Sequence, residues 1–508
     1  MKNLVSLISL ALLPSLVGAS EVEINGIYYN IISESYAEVT FDNTKYIGHV
    51  EIPSTIFYSG KEYPVSSIDS RAFMDCVELL TVDIPNSITS IGAAAFMNSG
   101  LASITIPNSV KKIGGFAFYG CSNLKSIDIP NGVSTIKTST FAGCTGLTSI
   151  KIPRSVTIIE ADAFGNCTGL NSVDMSSGVR SIKRGAFRNC SGLISIILPY
   201  GLTSLEKDVF SRCSGLTSIV LPNSVTSIGA AAFLGCTGLT SISIPRNVRT
   251  IGGSAFGACS NLASIRVDPQ NAVYDSRNNC NAIIETSKNC MILGCQNTKI
   301  PNSVLSIDER AFNGCTGLTS IYIPRSVKSI GESVFCNCSN LASICVDSQN
   351  TVYDSRNDCN AIIETSTNTL VYGCRNTLIP SDVTSIADDA FEGCTGLISI
   401  RIPNSVRSIG YSAFSDCTGL TSIFAEGGIP ATIKGNTFDN VDKKSCFLHV
   451  PRGRKETYEK AQYWNEFEKI VMSSNNTTNN EGEPSNSLFD IICEQISNFF
   501  LFIKSLVK

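Results

Sequence analysis

The sequence predicts an elongated solenoid of short parallel strands, and three observations carry that prediction. Phenylalanine returns regularly from Phe73 to Phe256, resumes at Phe312 and Phe335 and again at Phe391 and Phe414, and ends on a looser echo at Phe438. The interval is 23 residues, apart from one step of 22 between Phe96 and Phe118 and a final one of 24. A period in the twenties marks a coil repeated along one axis, because no unit buries its apolar face until neighbours stack on both sides. The composition agrees: 43% hydrophobic and 16% charged residues support a continuous core over 508 residues, more than one globular core encloses. Roughly sixteen coils at about 4.8 Å each give a rod or arc about 75–80 Å long.

Residues 1–19 read as an export signal. Lys2 supplies a positive start, Leu4 to Leu16 is almost wholly apolar or Ser, and Val17-Gly18-Ala19 has the small residues of a cleavage site. The apolar run is too short to span a bilayer comfortably. Residues 20–65 then alternate Tyr, Ile and Val with polar residues, as in Ile27-Tyr28-Tyr29-Asn30-Ile31. That alternation predicts a β-rich N-terminal cap sealing the open end of the core.

Residues 66–425 form the repeat array, and one unit shows its logic. Leu216, Ile219 and Leu221 follow the leucine-rich-repeat rule L-x-x-L-x-L of a strand lining a coil. Alternation turns Ile219 and Leu221 inward and Ser218 and Val220 outward. Pro222 lacks an N–H and ends the strand. Val225 and Ile228 point back in from a second side. Ala232-Phe233 is expected in a short helical or 3₁₀ turn that plugs the core, with Gly235 or Gly238 at the next bend.

Two extended units interrupt the period near 267–300 and 346–379. One carries Val273-Tyr274-Asp275-Ser276-Arg277 ahead of Cys280 to Thr286, the other Val352-Tyr353-Asp354-Ser355-Arg356 ahead of Cys359 to Thr365. A polar turn between two apolar runs predicts a hairpin that bulges from the coil. A calcium loop fails on spacing, since Cys280 stands where the sharp-turn Gly belongs and Thr286 where the bidentate Glu belongs.

After the array, residues 426–471 read as a C-terminal cap. Cys446 to Pro451 is its closing strand, and Tyr463, Trp464 and Phe467 follow at helix-like spacing. Residues 472–487 are a polar linker. In 488–508, Phe489, Ile492, Ile496, Phe499, Ile503 and Leu506 recur at three- and four-residue steps, the pattern of an amphipathic helix. Such a helix serves as a membrane-surface contact, a partner-binding element or a segment packed on the solenoid. Asp490, Glu494 and Lys504 argue against a transmembrane span.

The 21 cysteines do not read as a disulfide framework. Twelve of them, from Cys76 to Cys417, sit three residues after a repeat Phe. Stacked thiols at the ~4.8 Å rung spacing lie beyond the usual ~3.8 Å Cβ separation of a disulfide, so buried, unpaired Cys is the better reading. Cys336, Cys338 and Cys345 are close enough in sequence to leave a local disulfide open. No metal site is expected: zinc is disfavoured, because ligands one coil apart lie along a rod and do not converge, and only His49 and His449 exist to help.

Units such as Leu239 to Cys259, with Ile242-Ser243-Ile244-Pro245, Val248, Ile251 and Phe256, resemble the BspA-like leucine-rich-repeat surface proteins. That family is best known from anaerobic Bacteroidetes-type bacteria, with relatives in mucosal protists. The resemblance covers about Ser66 to Phe424 and thirteen regular units. It implies surface exposure, adhesion to host or matrix proteins and coaggregation, hence protein or glycoprotein partners, and an anaerobic habitat suits reduced thiols. It names no ligand.

Enzyme chemistry finds no foothold. The only histidines, His49 and His449, lie at opposite ends, and no phosphate loop, dinucleotide fingerprint or nucleophile elbow occurs. Any two acids on adjacent coils would serve a paired-carboxylate hydrolase, but nothing selects a pair. No cofactor is expected. A formal net charge of -4 without a basic run argues against nucleic-acid partners. The expectation is a secreted or cell-surface binding protein; the alternative is an envelope scaffold that self-associates.

The outward strand positions locate the binding surface. One outward row is nearly all Ser, from Ser103 to Ser241, whereas the next runs Asp83, Thr105, Asp128, Lys151, Asp174, Ile197, Val220, Ser243, Arg266, Tyr322, Cys345, Arg401, Phe424. Tyr and Arg are enriched at interface hot spots. Arg266, Tyr322 and Arg401 therefore lead the candidates, with Lys151 and Phe424 beside them. Arg277 and Arg356 on the expected hairpins are secondary.

Overall fold

The computed structural model describes residues 20–32, 35–41 and 45–473. The readings of an export signal in 1–19, of the linker from residue 474 on and of an amphipathic helix in 488–508 lie outside them. Within them the chain winds into a β-solenoid of about 18 turns, close to the sixteen expected.

The first wall is the predicted strand face. Ser149–Ile152, Ser172–Met175, Ser195–Ile197 and Ser218–Val220 pair in parallel with the serines in register. Ile219 and Leu221 are buried and Ser218 and Val220 exposed, so the alternation holds. Gly48–Glu51 already pairs with Leu79–Asp83, and Phe447–Val450 and Lys469–Met472 extend the far end. This ladder therefore runs past both boundaries set for the array, because the caps contribute rungs of their own. The second wall is a ladder of two-residue strands: Ser204, Ser227 and Thr250 align, which places Ile228 inside.

The third wall departs from expectation. No helical turn forms at the repeat phenylalanines. Left-handed residues flank each one instead, as Asp208 (φ 59) and Arg212 (φ 61) flank Phe210. They aim alternate N–H groups at the next coil: Asp208 donates to Ala230 O at 3.0 Å, Phe210 to Ala232 O at 2.8 Å and Arg212 to Leu234 O at 2.6 Å. A helix would return those donors to its own chain; the solenoid uses them to bind coil to coil. Inside this wall the rings from Phe73 to Phe256 stack with centroids 4.9–5.6 Å apart and planes within 2–17°. Trp464 closes the column against Phe438, donating its indole N–H to Ala431 O at 2.8 Å. The helix-like spacing around it does not make one helix, since Tyr463 is left-handed (φ 65) and separates the short helix Lys455–Glu459 from a 3₁₀ turn at Trp464–Glu466.

The cysteine ladder lines the core as free, buried thiols from Cys121 to Cys417. Cys144, Cys190 and Cys213 donate from Sγ to the preceding coil's Phe carbonyl at 3.1 Å, a partner that an alanine would not supply. Burial raises the thiol pKa to about 11 at Cys121 and about 12 at Cys167 and Cys213. Cys336, Cys338 and Cys345 are free thiols too, so the local disulfide left open by their spacing does not form.

The extended units are not projecting hairpins. Tyr274–Asp275, Ile283–Glu285 and Cys290–Leu293 form an antiparallel meander whose last strand joins the second wall through Ser306–Ile307. Ile283 and Ile284 are both fully buried, so the insertion is folded into the core. The second copy repeats this with Tyr353–Asp354, Ile362–Glu364 and Thr369–Tyr372. The short 3₁₀ segments at Arg277–Asn279 and Arg356–Asp358 lie here, each broken by a left-handed Asn.

Candidate ligand-binding face

Parallel register turns every strand-face position into a row. Register pairs Lys151 with Asp174, Ile197 with Val220, Ser243 with Arg266, Tyr322 with Cys345 and Arg401 with Phe424. The row therefore exists, but its candidates are spread along it. Lys151 lies between Asp128 and Asp174, about 24 Å from Arg266 at ~4.8 Å per rung. Only Arg401 and Phe424 touch, the guanidinium carbon 5.2 Å from the ring centroid.

That contact opens a larger cluster. His449 stacks on Phe424 at 4.3 Å and 11°, continuing the row into the cap. Burial lowers the His449 pKa and favours its neutral ring. Beside it, on the serine row, Phe447 is exposed and carries Lys469 Nζ 4.7 Å from its centroid. Glu426 pairs with Arg401 at 2.6 Å and fixes the guanidinium on the rings. Such a cluster offers cation, aromatic edge and carboxylate within a few rungs. Tyr322 stands two coils and one extended unit away and donates from its hydroxyl to Asp347 at 2.7 Å, which raises its own pKa.

The sequence reading missed several row members. Lys299 and Leu378 occupy the row in the extended units, both exposed. Those units lack the strand leucine, but Ile300-Pro301 and Ile379-Pro380 keep the strand ending, and counting back from the proline finds them. His449 was hidden by its place in the cap. Ile197 and Val220, two apolar members of the row itself, are each 81% exposed, and Ile194 and the 88% exposed Tyr200 flank Ile197 on its coil.

Arg277 and Arg356 do not project. Arg277 pairs with Asp275 at 2.5 Å and donates to Asn289 Oδ1 at 2.8 Å. Arg356 pairs with Asp354 at 2.7 Å and Asp382 at 2.5 Å and donates to Asn368 Oδ1 at 3.0 Å. Their donors are directed into the fold, as staples of the meander.

Stacked L-x-x-L-x-L strands with a varied outward row define the class as a leucine-rich-repeat solenoid protein. A family model of the BspA type leucine rich repeat region, in 6 copies, matches residues 35–171, 157–282, 285–371 and 361–483. The chain belongs to the BspA-type leucine-rich-repeat family. A leucine-rich repeat protein from Bacteroides ovatus ATCC 8483 is 28% identical, with a TM-score of 0.53, over 89% of this chain and 100% of that one. A leucine rich cell surface protein from Faecalibacterium prausnitzii A2-165 is 29% identical, with a TM-score of 0.48, over 80% of this chain and 95% of that one. Comparison with curated proteins finds no match.

Proposed function

We propose that this chain is an exported binding protein, without catalytic activity, that recognises protein or glycoprotein ligands on its strand face. The observation that carries the reading is the contrast between two neighbouring outward rows, one mostly Ser, the other diverse and ending in the Arg401–Phe424–His449 stack. A constant row beside a variable one suits a scaffold whose specificity lies in a few side chains. Lys2 and the apolar run behind it support export. The test is the triple variant R266A/Y322A/R401A, titrated beside the parent against immobilised matrix proteins and mucin. Unchanged circular dichroism with about tenfold weaker binding, about 1.4 kcal/mol, is expected. Parent-like affinity would remove this face from consideration.

A second reading, self-association as a scaffold, is favoured by the exposed Ile194–Ile197–Tyr200–Val220 patch. Sedimentation across a hundredfold concentration range separates the two: a monomer throughout supports ligand binding, and growth that I197S/V220S abolishes supports assembly.

A further inference from the structure

The two extended units are near copies, so each serves as a control for the other. Where the coil of Phe256 meets that of Phe312, the positions on either side of the junction hold Gly257, Arg310 and Asn313. Where the coil of Phe335 meets that of Phe391, the same positions hold Cys336, Asp389 and Glu392, and Tyr372 stands in place of Leu293. Direct contact of these coils is fixed by the backbone: Ala258 N donates to Asn313 O at 3.0 Å, and Asn337 N to Glu392 O at 2.9 Å. The second junction has thus exchanged a glycine, a cation and an amide for a thiol and two carboxylates.

These groups converge. Cys336 Sγ and one oxygen from each carboxylate all lie within 4.8 Å of one another. Cys336 is buried and both acids are half-buried. Among the described residues no Lys or Arg forms an ion pair with either acid; Lys434, on this wall, pairs at 3.5 Å with the neighbouring Asp388. Two carboxylates held together in partly dry surroundings without a counter-charge repel each other, and a nearby cation relieves the repulsion. Ser333 Oγ donates to Asp389 Oδ2 at 2.6 Å, and a cavity with room for about one water opens beside Asp389, Glu392 and Cys374.

We propose that Cys336, Asp389 and Glu392 form a site for one divalent cation of the zinc class, clamping the second junction. A thiolate with two carboxylates selects a borderline cation over calcium or magnesium, which take oxygen alone. Tetrahedral zinc sets its donors roughly 3.3–3.7 Å apart, so atoms within 4.8 Å of one another close by at most about 1.5 Å, within the swing of the Glu392 side chain. The fourth position falls to the Ser333 hydroxyl, already bonded to Asp389, or to a water. Binding replaces the thiol proton by the metal and releases that proton to solvent. The set stands apart from the repeat ladder, whose thiols lie along one line and do not converge. It draws on the turn wall of two different coils.

The probe is cobalt(II) added to the full chain, freshly reduced and freed of reductant. The parent should take up one equivalent with a thiolate-to-cobalt charge-transfer band in the near ultraviolet, displaced by one equivalent of zinc. C336G, which installs the residue found at the same place in the first junction, should lose the band and keep its circular dichroism. D389R/E392N, which rebuilds the first junction's other two residues, should bind at least tenfold more weakly. Should C336G unfold, D389N/E392Q supplies the same affinity comparison with the thiol intact. A parent without the band, a band that survives C336G, or full affinity in the carboxylate variants would overturn the site.

Discussion

Phe187→Ala tests whether the aromatic column is what couples the coils. Phe187 is fully buried between Phe164 at 5.3 Å and 6° and Phe210 at 5.6 Å and 10°. Truncating a buried Phe costs about 3–5 kcal/mol, and the amount depends on how far the site collapses. Collapse is restricted here. Phe164 N donates to Ala186 O at 2.8 Å and Phe187 N to Val209 O at 3.0 Å, so the wall holds the rings a rung apart whether or not the middle one is present. The cost should therefore lie in the upper half of the range, at about 4–5 kcal/mol. A long array does not unfold in two states, so a single global midpoint would blur the effect. Hydrogen exchange read by mass spectrometry resolves it. At about 1.4 kcal/mol per factor of ten, protection in peptides spanning 160–215 should fall roughly thousandfold, while the terminal coils change by less than about threefold. A local loss under tenfold would refute the column as the main coupling. A uniform loss from cap to cap would refute nearest-neighbour stacking.

Two further expectations follow from groups inside the fold. For the thiols, the folded pKa of about 12 at Cys167 and Cys213 exceeds the ordinary 9.0, so their contribution is complete below about pH 9 and is lost as pH rises toward 12. Each such thiol should cost about 2 kcal/mol at pH 10.5, native alkylation at pH 7 should label almost none of the ladder, and C167A/C213A should flatten the alkaline fall in urea midpoint. Arg356→Gln should lower the midpoint by an amount equal to about 1–3 kcal/mol, because it leaves half-buried Asp354 without its cation and removes the exposed pair to Asp382, and Arg277→Gln should cost less because Ser303 stands where Asp382 does. Equal losses in the two variants would show that the second carboxylate adds nothing.

The strand walls were legible because alternation forces them: Ile219 and Val220 cannot face the same side. Val225 and Ile228 were likewise placed inside by spacing alone. The third wall was not legible. Ala232-Phe233 satisfies a helical turn as well as a left-handed one, and the deciding factor is a partner for Phe233 N–H, Ala255 O, which lies on the next coil. No local window contains that information. The meander, by contrast, had a readable sign. Ile283-Ile284 places two apolar side chains on opposite faces of one strand, which only a strand covered on both sides tolerates. Arg277 was expected on a projecting hairpin, although Asp275 two residues earlier offered it a partner. The convergence of Cys336 with Asp389 and Glu392 had no sequence signature, since 53 residues and an entire extended unit separate the thiol from Asp389.

The walls of the solenoid are unequal, and this bears on the binding face. At each extended unit the strand wall gains a rung: Gln296 N donates to Leu262 O at 3.3 Å, and Arg375 N to Leu341 O at 3.2 Å. The phenylalanine wall gains less: Ala258 N to Asn313 O and Asn337 N to Glu392 O join its coils directly, while Gly294 and Gly373 of the extended units take the bonds to Ala311 O and Ala390 O. Rungs of about 4.8 Å are thus added to the strand wall and, through Cys290–Leu293 and Thr369–Tyr372, to the second wall, but not fully to the phenylalanine wall, so the strand face spreads at Lys299 and again at Leu378. The outward row is thereby divided into a long block up to Arg266, a short one of Tyr322 and Cys345, and a last one from Arg401 to His449. A rigid ligand lying flat on one block meets a change of slope at the next. Arg266, Tyr322 and Arg401 fall in three different blocks, so the triple variant averages over three separable footprints. The last block has the densest chemistry, with a cation, two stacked rings and a carboxylate held on two consecutive strands and the cap strand beside them. If the ligand is rigid, Arg401→Ala alone should reproduce nearly the whole tenfold loss and Arg266→Ala almost none. An even division among the three single variants would instead require a ligand that follows the face across both wedges, as an extended or flexible chain does.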